Sequence, residues 1–214
     1  MKQKYFVSLL GLLAIAAVGM PSAMAADAGW YAGANVGQSR AKIDDASINA
    51  ALLSLGFAAA ATTKNETGTG FKLYGGYQFN KNLAVEGGYF DLGKVSFDTT
   101  TVPAGTLHGD IRNQGGVNLD LVGIIPIQDN FSLFGRIGVQ NSETKLSLSG
   151  TGAVVVLIPN FSKRETNYKA GLGLQFDFTK NIGLRGEWER YRISDGFTGK
   201  ADVDLFSLGL VVRF

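Results

Sequence analysis

The sequence predicts an all-β chain: an eight-stranded antiparallel up-and-down transmembrane β-barrel. Three observations predict it. Apolar and polar residues alternate along segment after segment of the chain from Gly29 onward, and a strand sends successive side chains to opposite faces. Charged residues inside those segments fall on the face opposite the apolar one. After the first 25 residues, no stretch approaches the ~20 apolar residues that a spanning helix needs. In hydrocarbon every backbone polar group needs a partner, so a membrane chain without helices must close its sheet into a barrel.

The leader comes first. Lys2 and Lys4 precede an almost wholly apolar run over 6–20, and Ala23-Met24-Ala25 follows as a small-x-small cleavage site before Ala26. This pattern predicts a secretory signal peptide over 1–25, with a barrel domain over 26–214. The apolar run is short for an anchor helix, and no basic cluster follows it.

The first strand is Gly29 to Gly37, with Trp30, Ala32, Ala34 and Val36 on one face and Tyr31, Gly33, Asn35 and Gly37 on the other. The second, near 69–79, turns Phe71, Leu73, Tyr77 and Phe79 outward and Lys72, Tyr74 and Gln78 inward. Asn80-Lys81-Asn82 reads as a tight turn. The third puts Leu83, Val85, Gly87 and Tyr89 outward and Glu86 inward. A fourth, over about 107–127, faces Leu119, Leu121, Ile125 and Ile127 out and Asn118 and Asp120 in. A second short turn follows over 126–130, where Pro126 costs few ladder bonds.

The fifth strand has Phe131, Leu133, Ile137 and Val139 out, with Ser132 and Arg136 in. The sixth, about 165–178, has Tyr168, Leu172, Leu174, Phe176 and Phe178 out and Lys169, Gln175 and Asp177 in. Thr179-Lys180-Asn181 makes the third short turn. In the seventh, Ile182, Leu184 and Trp188 point out while Arg185, Glu187 and Glu189 point in. The eighth ends the chain. Phe206, Leu208, Leu210, Val212 and Phe214 form its apolar face. An aromatic C-terminal residue on such a strand is the assembly signal of bacterial outer-membrane barrels.

Three short turns alternate with four long connections, which places both termini and the short turns on the periplasmic side. Trp30, Tyr77, Phe79, Phe131, Phe178 and Phe214 lie beside those turns or the termini, as an interfacial aromatic girdle would. Lys72, Glu86, Asp120, Arg136, Lys169, Asp177, Arg185, Glu187 and Glu189 all face inward in this scheme. An Arg or Lys at the lipid midplane costs ~2–4 kcal/mol. A barrel of about eight strands has room inside only for side chains. The expected lumen is therefore a packed salt-bridge network with little continuous water path.

Composition closes off other classes. The chain carries 20 basic and 18 acidic residues; without Lys2 and Lys4 the two are equal, which leaves no electrostatic case for nucleic acid. No cysteine is present, so no disulfide or thiolate metal site is expected. With one histidine, His108, a metal centre or other cofactor is not expected either. His108 is the one candidate base for a lipid A-modifying hydrolase. The nearest preceding hydroxyl is Thr106, and a nucleophile must lie within hydrogen-bond reach of its base. No catalytic residue is assigned. Glu187 and Glu189 could mimic a glycosidase acid pair, but a packed lumen offers no substrate cleft.

Two long connections are unusually apolar. The stretch 44–63 holds Ile48, Leu52, Leu53, Leu55 and Phe57, and 152–161 holds Val154, Val155, Val156, Leu157 and Ile158. They are read either as packing of extended hairpins and a capping helix, or as a contact surface for a host or envelope ligand.

Several stretches together resemble the OmpA-like outer-membrane barrel family: Gly29-Trp30-Tyr31-Ala32-Gly33-Ala34, Gly75-Gly76-Tyr77-Gln78-Phe79-Asn80, 86–93, Arg136-Ile137-Gly138 and 207–214. The resemblance implies an outer-membrane location, outer-membrane lipid as surroundings, and the barrel-assembly machinery as a partner during insertion. It also implies a central lumen pair at Glu86 and Arg185. Val122 and Gln175 stand where that family's best-known pattern carries a second charged pair. The chain stops at Phe214, so the family's peptidoglycan-binding domain is not expected in it. The reading that results is a structural or surface-interaction barrel, with a narrow low-conductance pore as the alternative and a lipid A hydrolase as a third.

Overall fold

The structure is a computed structural model that describes residues 28–41, 45–54, 56–154, 160–194 and 200–214. Its elements are β1 (Gly29–Ala41), α1 (Asp45–Ser54), β2 (Ala58–Asn65), β3 (Thr67–Asn80), β4 (Leu83–Asp91), β5 (Gly93–Val102), β6 (Gly105–Gln128), β7 (Phe131–Gly152), β8 (Asn160–Asp177), β9 (Ile182–Ser194) and β10 (Lys200–Arg213). The described residues are thus all-β but for one helix. The expected signal peptide and its Ala23, Ala25 and Ala26 lie outside the described residues.

All strand pairings are antiparallel. One sheet runs β2-β5-β6-β4-β3-β1-β10-β9-β8-β7, and β7 pairs back onto β6. Eight of these ten described strands therefore form a circuit of pairings, while β5 and β2 branch from the upper part of β6. The sequence reading of eight strands met ten because two strand paths are broken. At the start of β5, Gly93 has φ +75° and accepts the turn that Asp91 fixes, its N–H donating to Asp91 Oδ1 at 2.6 Å. A Cβ at Gly93 would run into the Thr69 carbonyl. Opposite this break, the β6–β7 ladder shifts register between Asn113 and Gly116, and Gly115 has φ +94°. A bulge there lets β6 leave β4 and take up β5.

The short connections are held by side chains that mimic backbone. Asn82 N–H donates to Asn80 Oδ1 at 2.8 Å. Thr179 Oγ1 accepts from Ile182 N–H at 3.0 Å. The long connections leading to β6 and from β7 to β8 carry strand. β6 pairs with β7 from Gly105↔Gly152 down to Gln128↔Phe131. At ~3.3 Å per residue, these strands are much longer than an apolar band of ~25 Å requires. Their upper parts, with β5, β2 and the start of β8, stand clear of the circuit as a protruding sheet.

Alternation sorts the two faces. Trp30, Leu119, Ile125, Ile137, Leu172, Phe206 and Leu208 lie exposed on the outer surface, Ile137 at 66%. Soluble monomers rarely expose contiguous apolar surface beyond a few hundred Å²; a continuous apolar wall of this kind suits hydrocarbon.

The interior is layered. Toward the short turns, Tyr31, Tyr74, Ala84, Val122, Phe134 and Val211 pack together. Toward the other end, Phe90, Leu92, Tyr191, Ile193, Val203 and Leu205 form a second apolar layer, with the Phe90 and Tyr191 rings 4.5 Å apart. Above that, Leu52 of α1 packs on Val95 and Phe97 of β5. Leu52 is 1% exposed and its neighbour Leu53 65%, so the apolar connection over 44–63 is divided between inward packing and a free surface. Val154 is buried as well, while 155–159 lie outside the described residues.

Candidate functional site

Between the two apolar layers lies a layer of charge. Four cations meet four carboxylates: Lys72 from β3, Arg136 from β7, Lys169 from β8 and Arg185 from β9, against Glu86 from β4, Asp120 from β6, and Glu187 and Glu189 from β9. All eight are buried, Lys72, Glu86 and Glu189 completely. Strand alternation alone brings them inward; the ladder sets who meets whom. Glu86 faces Asp120 across β4–β6, a like-charged pair that could not persist in a low-dielectric interior without cations between.

Arg136 supplies the centre. Its guanidinium lies 2.8 Å from Glu86, 2.9 Å from Glu187, 3.4 Å from Glu189 and 3.5 Å from Asp120. Arg185 donates to Glu86 at 2.6 Å and to Gln175 Oε1 at 3.0 Å. Lys169 bridges Asp120 at 2.8 Å and Glu189 at 2.7 Å. Lys72 bridges Glu187 and Glu189. Tyrosines complete the shell: Tyr31 Oη donates to Glu86 at 2.8 Å and Tyr191 Oη to Glu189 at 3.0 Å. Aromatic faces cover the cations. The Arg185 guanidinium is 4.6 Å from the Phe134 ring centre, and Lys72 and Lys169 each lie 4.8 Å from a tyrosine ring.

Of the nine inward charges named from sequence, eight are brought together here. Asp177 is not. It lies at the short-turn rim, with Arg213 at 2.9 Å and Gln175 at 2.9 Å. The reason is position: Asp177 ends β8, four inward steps from Lys169 of the charge layer and one beyond Gln175. The expected Glu86–Arg185 pair is present within a larger network. Val122 lies in the apolar layer, and Gln175 anchors Arg185 instead of opposing it with charge. Phe134, Phe90 and Tyr191 went unremarked in the sequence reading. Their signal was parity, since each is an aromatic at an inward position.

His108 lies on the outer face of the protruding sheet. Its Nδ1 is 2.6 Å from Asp98 Oδ1, and its Nε2 is 3.3 Å from Asp110 Oδ1. Hydrogen bonding to Asp98 raises its pKa above the ordinary value. Ser149 pairs with His108 across the ladder, so Asp98, His108 and Ser149 occupy one rung. The imidazole nevertheless turns both nitrogens to carboxylates, which favours the imidazolium and leaves Ser149 without a base. This is an ion cluster, not a nucleophile's setting.

On β10, Phe206, Leu208 and Leu210 are exposed on the outer wall, as is Phe214 just past its end. Trp30, Tyr77 and Phe79 stack edge to face beside the 80–82 turn, at 5.1 and 5.3 Å.

Known proteins agree with this architecture. The model of the family described as outer membrane protein beta-barrel domain matches residues 10–214. Outer membrane protein A of Escherichia coli O157:H7 is 28% identical over 190 residues, which cover 86% of this chain and 47% of that protein. Outer membrane protein A of Shigella flexneri is 30% identical over 161 residues, covering 72% of this chain and 42% of that one. The chain thus spans about half the length of the curated relatives it matches, or less. Among solved structures, the outer membrane protein OprG of Pseudomonas aeruginosa superposes with a TM-score of 0.51 at 14% identity, covering 88% of this chain and 97% of that chain; the likeness is one of fold.

Proposed function

This chain belongs to the family of outer membrane protein β-barrel domains, and on that premise we propose a structural and surface-interaction protein. Its eight-strand circuit is read as a closed barrel in the outer membrane, with both termini periplasmic and the protruding sheet outside. The observation that carries the reading is the interior. A charge layer balanced four against four lies between two apolar layers, so an ion crossing it would have to displace buried pairs. Breaking a buried pair costs ~3–5 kcal/mol. What such a molecule offers its surroundings is its outer wall and its exterior sheet.

The exterior contact surface is the sheet of β5, β6 and β7 with β2 and the upper part of β8, together with the free side of α1 at Leu53. Two experiments test the reading. Planar-bilayer recordings of the purified protein are expected to show no steady conductance. Replacing 145–163 by a two-residue turn is expected to remove binding of displaying cells to host monolayers while heat-modifiable migration persists. Undiminished binding after the replacement would sink the surface role.

A narrow pore is the second reading. It is favoured by buried polar atoms without hydrogen-bond partners along the interior, among them Asn35 Oδ1, Asn118 Oδ1, Gln140 Oε1 and Tyr74 Oη. Steady currents that change with Arg185→Gln or Glu86→Gln would establish it.

A further inference from the structure

On the outer face of the protruding sheet, three cations stand on one rung. Lys94 of β5 pairs with Arg112 of β6, and Arg112 pairs with Lys145 of β7. Side chains directly opposite in a ladder lie ~5 Å apart at Cβ, and like charges there are destabilising. The two flanking cations have local anions: Lys94 reaches Asp110 at 2.7 Å, and Lys145 lies 3.6 Å from Glu143. Arg112, exposed between them, makes no ion pair with the described residues. The rung holds an uncompensated guanidinium flanked by two ammonium groups.

Its height in the fold identifies what would compensate it. Immediately below on the same strands and the same face come Val117, Leu119 and Leu121 of β6 and Val139 and Ile137 of β7, all exposed. The lysine of the rung is four residues beyond Asn141, the partner of Val117. That is ~13 Å along a strand, or ~10 Å of height at a tilt near 40°. A guanidinium on a flexible stem spans much of that distance. On the outer-membrane reading, that height lies just above the apolar wall, where lipid headgroups are found. The wall beneath is also grooved. Leu119, Leu121, Ile137, Val139, Tyr168 and Ala170 line an open apolar trough of about 570 Å³, and Arg192 lies over the Tyr168 ring at its rim, 6.0 Å away.

The geometry points to a binding site for a phosphorylated, multiply acylated glycolipid of the outer leaflet, with a phosphate on Arg112 between Lys94 and Lys145 and an acyl chain in the Tyr168–Ala170 trough. Arg suits the role because its planar fork binds phosphate oxygens in pairs, and a basic cluster beside an apolar wall is the common form of anionic-lipid recognition. Asp110 holds Lys94 at 2.7 Å, whereas Glu143 is held by Arg164 at 3.0 Å and lies only 3.6 Å from Lys145, so a phosphate on Arg112 competes with weakly held carboxylates for the lysines. The inference rests on the outer-membrane barrel reading.

The test titrates the full-length protein in mixed micelles with bis-phosphorylated lipid A, its dephosphorylated form, phosphatidylglycerol and inorganic phosphate, read by native mass spectrometry. Bis-phosphorylated lipid A should bind about tenfold tighter than the dephosphorylated form, the difference of one charged contact. Arg112→Glu should erase that preference, and Ala170→Trp, which fills the trough, should weaken both lipids alike. Equal binding of the two lipid A forms, unchanged preference in Arg112→Glu, or full competition by inorganic phosphate would overturn the site. Failure of the barrel reading has its own signature, since the wild-type protein would then show no heat-modifiable migration.

Discussion

Arg136 is the residue on which the interior turns, because it alone touches all four buried carboxylates. Taking its charge away leaves four anions against three cations in a medium that solvates none of them well. Arg136→Met is therefore expected to destabilise the barrel by about 3–5 kcal/mol, read as a lower urea midpoint in lipid vesicles. Arg136→Lys should recover only part, since a single ammonium cannot reach carboxylates on several sides. His108 makes a separate, exterior prediction. Its pKa is raised in the folded hairpin, by Asp98 first and Asp110 also. The stabilisation of the β5–β6 hairpin is thus complete below the free imidazole's titration range and disappears as pH climbs through the raised value. An NMR titration of the imidazole should show the elevated midpoint, and Asp98→Asn should bring it down.

At the scale of elements, the junction between barrel and protruding sheet is set by two breaks at one level: Asp91-Leu92-Gly93 on one path and the Asn113–Gly116 bulge on the other. Gly93→Val would force a β-branched side chain onto φ +75° and against the Thr69 carbonyl. About 1–3 kcal/mol of strain is expected, appearing as faster proteolysis of the exterior hairpins with the membrane-embedded fragment still protected. The same junction explains what the sequence could and could not tell. Alternation made the inward charges and outward apolar residues readable in the eight strands of the circuit, since a period of two needs no tertiary information. It could not reveal that β4 and β5 are separate elements, because the alternation continues through Leu92. Nor could it separate Leu52 from Leu53 on α1. Those depend on Val95 and Phe97, which only the folded hairpin brings near. Asp177 was grouped with the network because parity gives a face and not a height.

For the molecule as a whole, the layered interior predicts electrical silence. Conductance recordings should stay at baseline for the wild type, and the same should hold for Asp177→Asn, since Asp177 lies outside the charge layer. The outer wall predicts where the protein can live: detergent removal without added lipid should precipitate it. The strands also end at unequal heights. Among the described residues, β1, β9 and β10 stop near the barrel, while β6 and β7 continue far beyond it. The molecule therefore has a front and a back. A neighbour drifting in the membrane from the β1–β10 side passes over a low sill, whereas one arriving at β6–β7 strikes a tall palisade, so crowding at the cell surface should orient these barrels relative to whatever surrounds them.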